Sequence, residues 1–266
     1  EISYYKHLKL TKIADKKHRK LESEVFKNAD ITLATSYTDA ENFRKKGANA
    51  FCITNGFDVD ASTTLSMTEE NSKTLPLSNS TTKFTLSYIG VLEQLRNPEI
   101  LWETLNDLVQ ENADFKNDFQ LKFVGRLDDK ILQKIESSPL KNNLTNLGYQ
   151  THDVALKHMQ DSTVLLITNF PQESSKGIIP GKIFEYLATG KTILSFGPKD
   201  ADVEKILIET KAGKHFGYDE KENLKKFILE SYENWKSGTL NQNAENIEQF
   251  SRKNLTQKLV DLMNKI

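Results

Sequence analysis

Cysteine is nearly absent: Cys52 stands alone in 266 residues. One thiol builds neither a disulfide framework nor a cysteine-rich zinc site, and such usage fits a reducing compartment. A surplus of charge of either sign is missing too, since 36 Lys and Arg face 37 Asp and Glu. That excludes the overall basic excess typical of a nucleic-acid-binding chain. No apolar run approaches the roughly 18 residues that a membrane-spanning helix needs. The opening stretch EISYYKHLKLTKIADKKHRKLESEVFKNAD has no apolar core of a signal peptide. It begins at Glu1 within a helical pattern, and the expectation is a fragment whose preceding segment is missing. Signatures of nucleophilic catalysis are lacking, with neither Gly-x-Ser-x-Gly nor a Ser-His-Asp order in view. His7, His18, His152, His158 and His215 are scattered. His152 and His158 lie six apart and do not share a helix face as ligands four apart do.

What remains is a globular composition, 37% hydrophobic and 27% charged, long enough for one large or two small domains. Residues 3–28 read as a long polar helix. Its basic run KLTKIADKKHRK (9–20) is suited either to a membrane surface or to a solvated or interdomain face, and its thin apolar stripe favours the latter. DITLATS (30–36) is a short strand, Ser36 an N-cap for a helix ending at Gly47, and AFCITNGFD (50–58) a strand running into an Asn-Gly turn. Residues 60–82 are rich in Ser, Thr and Asn and have no period, as in a surface excursion or linker. From residue 83 strands and helices alternate. Strands are expected at 83–90, 119–125, 144–149, 163–169, 192–197 and 212–217. Helices are expected at 97–113, 128–138, 151–161, 181–189, 201–210 and 219–236, with two more near 241–250 and 251–265. This order predicts an α/β fold, a doubly wound parallel sheet with helices on both faces. Ligands of such sheets bind beyond the carboxyl ends of the strands, here marked by Gly90, Gly125, Gly148, Asn169 and Gly197.

The stretch KGIIPGKIFEYLATGKTILSFGP (176–198) holds the densest chemistry. Gly177, Pro180 and Gly181 separate a buried strand from a helix. Helix-start amides and glycines suit an approaching phosphate. Lys182 in the first turn opposes the helix dipole and so asks for another purpose. Glu185, further in, can accept hydrogen bonds from two ribose hydroxyls. Together they suit the diphosphate and ribose of a sugar nucleotide; loop punctuation at an ordinary helix start is the alternative.

PGKIFEYLATGKTILSFGP resembles the donor-site segment of retaining glycosyltransferases of the GT-B fold, family 4 (glycosyl transferases group 1). ADITLATSYTDAENFRKKGANAFCITNGFD (29–58) is similar to that family's strand–helix–strand hinge, and SYIGVLEQLRNPEILWETL (87–105) to the first strand and glycine loop of its C-terminal domain. LKFVGRLDD and LTNLGYQTHDVALKHMQDSTVLLI follow in the same order. The resemblance implies a Rossmann-like donor domain at 83–240. Residues 1–58 would be the end of an N-terminal acceptor domain with its hinge, 59–82 a linker, and 241–266 helices crossing back. It implies transfer of a hexose-type sugar, with retention, from a nucleotide-diphosphate sugar, UDP- or GDP-linked, to an acceptor hydroxyl in polysaccharide or glycoconjugate synthesis. The expected setting is cytoplasmic, with contact at the inner membrane face left open. No cofactor, bound metal or nucleic-acid partner is implied, and the fragment is expected to bind donor without turnover.

Carried over by position, Glu185 matches the second glutamate of the family's Glu-x7-Glu motif, the ribose ligand. Gly177 stands where the first, sugar-contacting glutamate belongs. Lys182 and the amides of Gly181 to Ile183 are expected at the diphosphate. In the loop after Gly90 the usual arginine is Val91, while Arg96 falls near the later basic position. Lys182 and Arg96 are thus the candidate leaving-group stabilisers, though a surface role suits Arg96 equally. Arg126 is a further candidate beside base or phosphate. The Asp-x-Asp at 58–60 is set aside as part of the hinge. A GT-B nucleotide-sugar epimerase, or a scaffold with a degenerate donor site, are the alternatives.

Overall fold

The computed structural model describes residues 10–58, 83–240 and 244–265. The expected polar linker, the start of the first helix, and Val59 and Asp60 of the Asp-x-Asp lie outside the described residues. The first helix, α1 (Lys12–Asn28), is capped by Thr11 and buries only Phe26. Its basic run faces solvent and is paired in part within the helix, Arg19 with Asp15 and Lys20 with Glu24. Strands β1 (Thr32–Ala34) and β2 (Ala50–Cys52) pair in parallel and are joined by α2 (Tyr37–Lys45), whose N-cap Ser36 accepts the Asp39 amide.

The main sheet has six parallel strands: β3 (Phe84–Ile89), β4 (Phe119–Val124), β5 (Leu144–Asn146), β6 (Val164–Thr168), β7 (Thr192–Phe196) and β8 (Gly213–Phe216). Their spatial order is β5-β4-β3-β6-β7-β8. The chain winds outward from β3 to β5, then crosses back to lay β6 against β3 and winds the other way. Between them run α3 (Glu99–Glu111), α4 (Ala113–Asp118), α5 (Asp129–Glu136), α6 (His152–Gln160), α7 (Lys182–Ala188) and α8 (Asp202–Thr210); α9 (Lys221–Lys236) and α10 (Arg252–Met263) follow the last strand. The fold is therefore the doubly wound α/β sheet expected from the alternation.

Side-chain alternation divides the core into two layers. On one face Val164 and Leu166 of β6 join Phe84 and Leu86 of β3 and Phe119, Leu121 and Phe123 of β4. Leu105 of α3, Ile131 of α5 and Ile228 of α9 cover them. On the other face Leu165 and Ile167 of β6 join Ile89 and Val124, covered by Met159 of α6, Ile183 and Leu187 of α7, and Ile206 of α8. Strands β3 and β6 are buried throughout, as strands covered on both faces must be.

Two local expectations fail. Residues 244–246 form no helix, and Asn246 is left-handed with φ 55°, so only a 3-10 turn, Ile247–Phe250, precedes α10. Asn55-Gly56 makes no hydrogen-bonded turn. Phe57 is instead drawn into a parallel bridge with Ser251: its amide donates to the Phe250 carbonyl, and its carbonyl accepts from Arg252. Asp58 pairs with Arg252 at 2.7 Å. The short helix α4, capped by Asn112, is an addition to the expected elements. No helix among the described residues is long and apolar enough to cross a membrane.

Candidate functional site

All six strands are parallel, so their carboxyl ends form one rim. The winding reverses between β3 and β6, and at such a reversal the loops diverge and leave a crevice. Gly90 follows β3 there, and Asn169 follows β6. Gly90 and Gly125 both have positive φ, 121° and 125°. A Cβ on Gly125 would fall well inside contact distance of the Gly90 carbonyl, so the β3 and β4 loops touch backbone to backbone.

Lys182, from the first turn of α7, reaches across this crevice. Its Nζ donates to the Ile89 carbonyl at 3.1 Å and lies 3.8 Å from the centroid of the Tyr88 ring. A Cβ on Gly90 would lie 3.5 Å from the same nitrogen. Burial holds this amine below the usual lysine range, and the positive charge of Arg96 adds to the effect. Arg96 ends a 3-10 turn, Gln94–Arg96. Its Nη2 donates to the Val91 carbonyl at 3.0 Å and meets Glu93 at 3.4 Å, and its guanidinium lies 5.5 Å from the centre of the Phe170 ring. Its Nε is buried with no partner among the described residues. Tyr218, beyond β8, donates to the Asn169 carbonyl, and burial raises its phenol well above the ordinary value. Two cations, one from the start of α7 and one from the loop after β3, therefore lean on the carbonyls that flank Gly90.

The other expected residues divide. Glu185 is half-buried on α7 and has no hydrogen-bond or ion-pair partner among the described residues. Gly181 opens onto free space, and the amides of Gly181 and Lys182 have no acceptor among the described residues. The Ile183 side chain is fully buried, and its amide donates to the Pro180 carbonyl at 3.0 Å. Pro180 is thereby a structural acceptor at the helix start. Arg126 is exposed, and its carbonyl accepts the Leu92 amide at 2.9 Å. Gly177 lies elsewhere, against Ser36 and Thr38 of the N-terminal unit. Among the described residues no three His, Cys, Asp or Glu side chains form a metal-binding group. Sequence reasoning passed over Tyr88, Phe170 and Tyr218, whose aromatic character gave no local signal, and Tyr149, which is 88% exposed on the same rim after Gly148.

No protein-family model matches the chain, and no curated protein does. Solved structures do. HepE from Anabaena, in complex with UDP, aligns with a TM-score of 0.70 at 18% identity, over 93% of this chain and 67% of its own. A TarM variant from S. aureus, in complex with fondaparinux, alpha-GlcNAc-glycerol and UDP, aligns at 0.64 and 16% identity, over 96% of this chain and 48% of its own. Sucrose-phosphate synthase from Thermosynechococcus elongatus aligns at 0.66 and 15% identity, over 100% of this chain and 66% of its own. The chain thus spans about half to two thirds of the length of these structures. The likeness establishes the fold, the Rossmann-like α/β sheet of the GT-B class.

Proposed function

We propose that the chain is the donor-binding portion of a glycosyltransferase that uses a nucleotide-diphosphate sugar. The observation that carries this reading is the meeting of Lys182 and Arg96 beside Gly90 at the sheet's switch point. A diphosphate entering there exchanges two backbone carbonyls for a dianion, which both cations bind more strongly. As the bond from the anomeric carbon to the diphosphate breaks, its electron pair leaves on phosphate oxygen, and the two cations stabilise the charge that develops. Glu185, without a protein partner among the described residues, is the acceptor for the ribose hydroxyls. Uridine or guanosine diphosphate as the carrier, a hexose as the sugar, and retention at the anomeric carbon complete the proposal. Charge neutralisation runs through side chains, without calling on a bound metal. The acceptor is assigned to a further N-terminal domain, and the setting to the cytoplasmic side of polysaccharide or glycoconjugate assembly. Contact with an anionic membrane face would involve α1, where Ile13 and Val25 are exposed.

The test is a thermal-unfolding screen of the chain with UDP, GDP, ADP and CMP. A site filled at 100 times its Kd adds about 2.7 kcal/mol. One diphosphate raising the midpoint, with loss of the effect in Lys182→Met and Glu185→Gln, supports the reading. A second reading, a scaffold with a disabled donor site, is favoured by Val91, which stands after Gly90 where the resembled family carries an arginine. Absence of any nucleotide effect would select it.

A further inference from the structure

Thr38 and Asp202 lie 164 residues apart in the chain, and neither belongs to the switch-point crevice. Asp202, the first residue of α8, is fully buried. One carboxylate oxygen accepts the Thr38 amide at 2.8 Å, and the other accepts the Thr38 hydroxyl at 2.8 Å and the Lys205 ammonium at 2.9 Å. A buried carboxylate is stable only with such a full set of donors. The Asp202 amide in turn donates to the Lys176 carbonyl at 2.9 Å. The next residue after Lys176, Gly177, packs so closely on α2 that a Cβ would meet Ser36 Oγ and Thr38 Cβ at 3.2 Å. The same loop is held from the sheet by Asn169, whose Nδ2 donates to the Ile178 carbonyl at 2.8 Å. The segment that leads into Pro180, Gly181 and Lys182 is therefore gripped between the N-terminal unit and the sheet.

We propose that Thr38 and Asp202 are positioning residues: they clamp the 169–181 loop and so set where Lys182 enters the crevice. The same contact explains position 177. It faces α2 rather than open space, so close approach to Ser36 and Thr38 favours a small residue there. The effect on nucleotide binding rests on the donor-site reading, whereas the clamp itself does not.

The experiment compares the wild-type chain with Thr38→Val, Thr38→Ser and Asp202→Asn. Amide exchange is first measured without nucleotide at Ser175, Lys176 and Ile178, with Leu165 to Ile167 of β6 as the internal reference. The expected result is faster exchange in the loop, by about tenfold, with β6 unchanged in Thr38→Val and Asp202→Asn and protection restored in Thr38→Ser. Titration with UDP and GDP then reads affinity, with an expected loss of roughly five- to tenfold in Thr38→Val, of the size that coupled networks transmit. Loop exchange that rises only in step with β6, or not at all, overturns the clamp and leaves Asp202 as a general stabiliser. Faster loop exchange with unchanged nucleotide affinity overturns the positioning role. A wild-type chain that binds neither nucleotide refutes the donor reading, and the exchange data still decide the clamp.

Discussion

Replacing Lys182 with methionine separates a functional lysine from a structural one. Methionine keeps most of the length of the stem and removes the charge. In the free protein the ammonium makes a charged hydrogen bond to the Ile89 carbonyl and a contact with the Tyr88 ring. These are worth about 1.5–3 kcal/mol and about 0.5–2 kcal/mol. Desolvating the ammonium costs several kcal/mol in the opposite direction. The terms nearly cancel, so Lys182→Met is expected to change stability by about 1 kcal/mol or less, a shift of roughly 2–4 °C in Tm at most. Nucleotide binding has no such cancellation. Loss of one charge-assisted contact to a diphosphate, about 2–3 kcal/mol, weakens Kd by roughly 30- to 150-fold. Calorimetric titration with the nucleotide that stabilises the wild type, beside a melt of the free variant, measures both. A variant that melts far lower but binds nucleotide normally would make Lys182 a structural residue and overturn its assignment to the diphosphate.

The pH dependence carries a definite sign. Burial lowers the Lys182 pKa from 10.5. Affinity should therefore fall as pH rises through that lowered value, because the neutral amine offers no charge, and the fall should be absent in Lys182→Met. Between the lowered value and 10.5 the unfolded chain binds the extra proton, so this group's contribution to stability rises with pH there.

Four further outcomes are expected. Gly125→Ala places a Cβ against the Gly90 carbonyl at a positive φ, and should lower stability by about 2–3 kcal/mol in a thermal melt. Glu93→Ala releases Arg96 from an ion pair, and should tighten nucleotide binding up to about fivefold, the range of a partly exposed pair; weaker binding would count against Arg96 as a phosphate ligand. Gly177→Glu should weaken nucleotide binding and loop protection together, since the side chain meets α2; tighter binding of a sugar nucleotide would show that position 177 faces the sugar. His215 is buried and held neutral, below its ordinary 6.5, accepting the Ser195 hydroxyl at Nδ1 and donating from Nε2 to the Pro198 carbonyl. The unfolded chain protonates first, so the urea midpoint should fall as pH drops below about 6.5, and the fall should be smaller in His215→Gln.

The alternation of strands and helices and the doubly wound class were legible in the order of residues, which also singled out Lys182, Arg96 and Glu185 as candidates. Each rests on a local property. Apolar period, cap residues and an unfavourable lysine in a first helical turn depend on neighbours a few positions away. Packing across the chain settled the rest. It brought β6 beside β3, so that a lysine from the start of α7 meets a glycine from the loop after β3. It drew Phe57 to Ser251 in place of an Asn-Gly turn and buried Asp202 against Thr38. Those outcomes turn on which buried polar groups must find partners, and most of the partners lie far along the chain, where no local pattern records them.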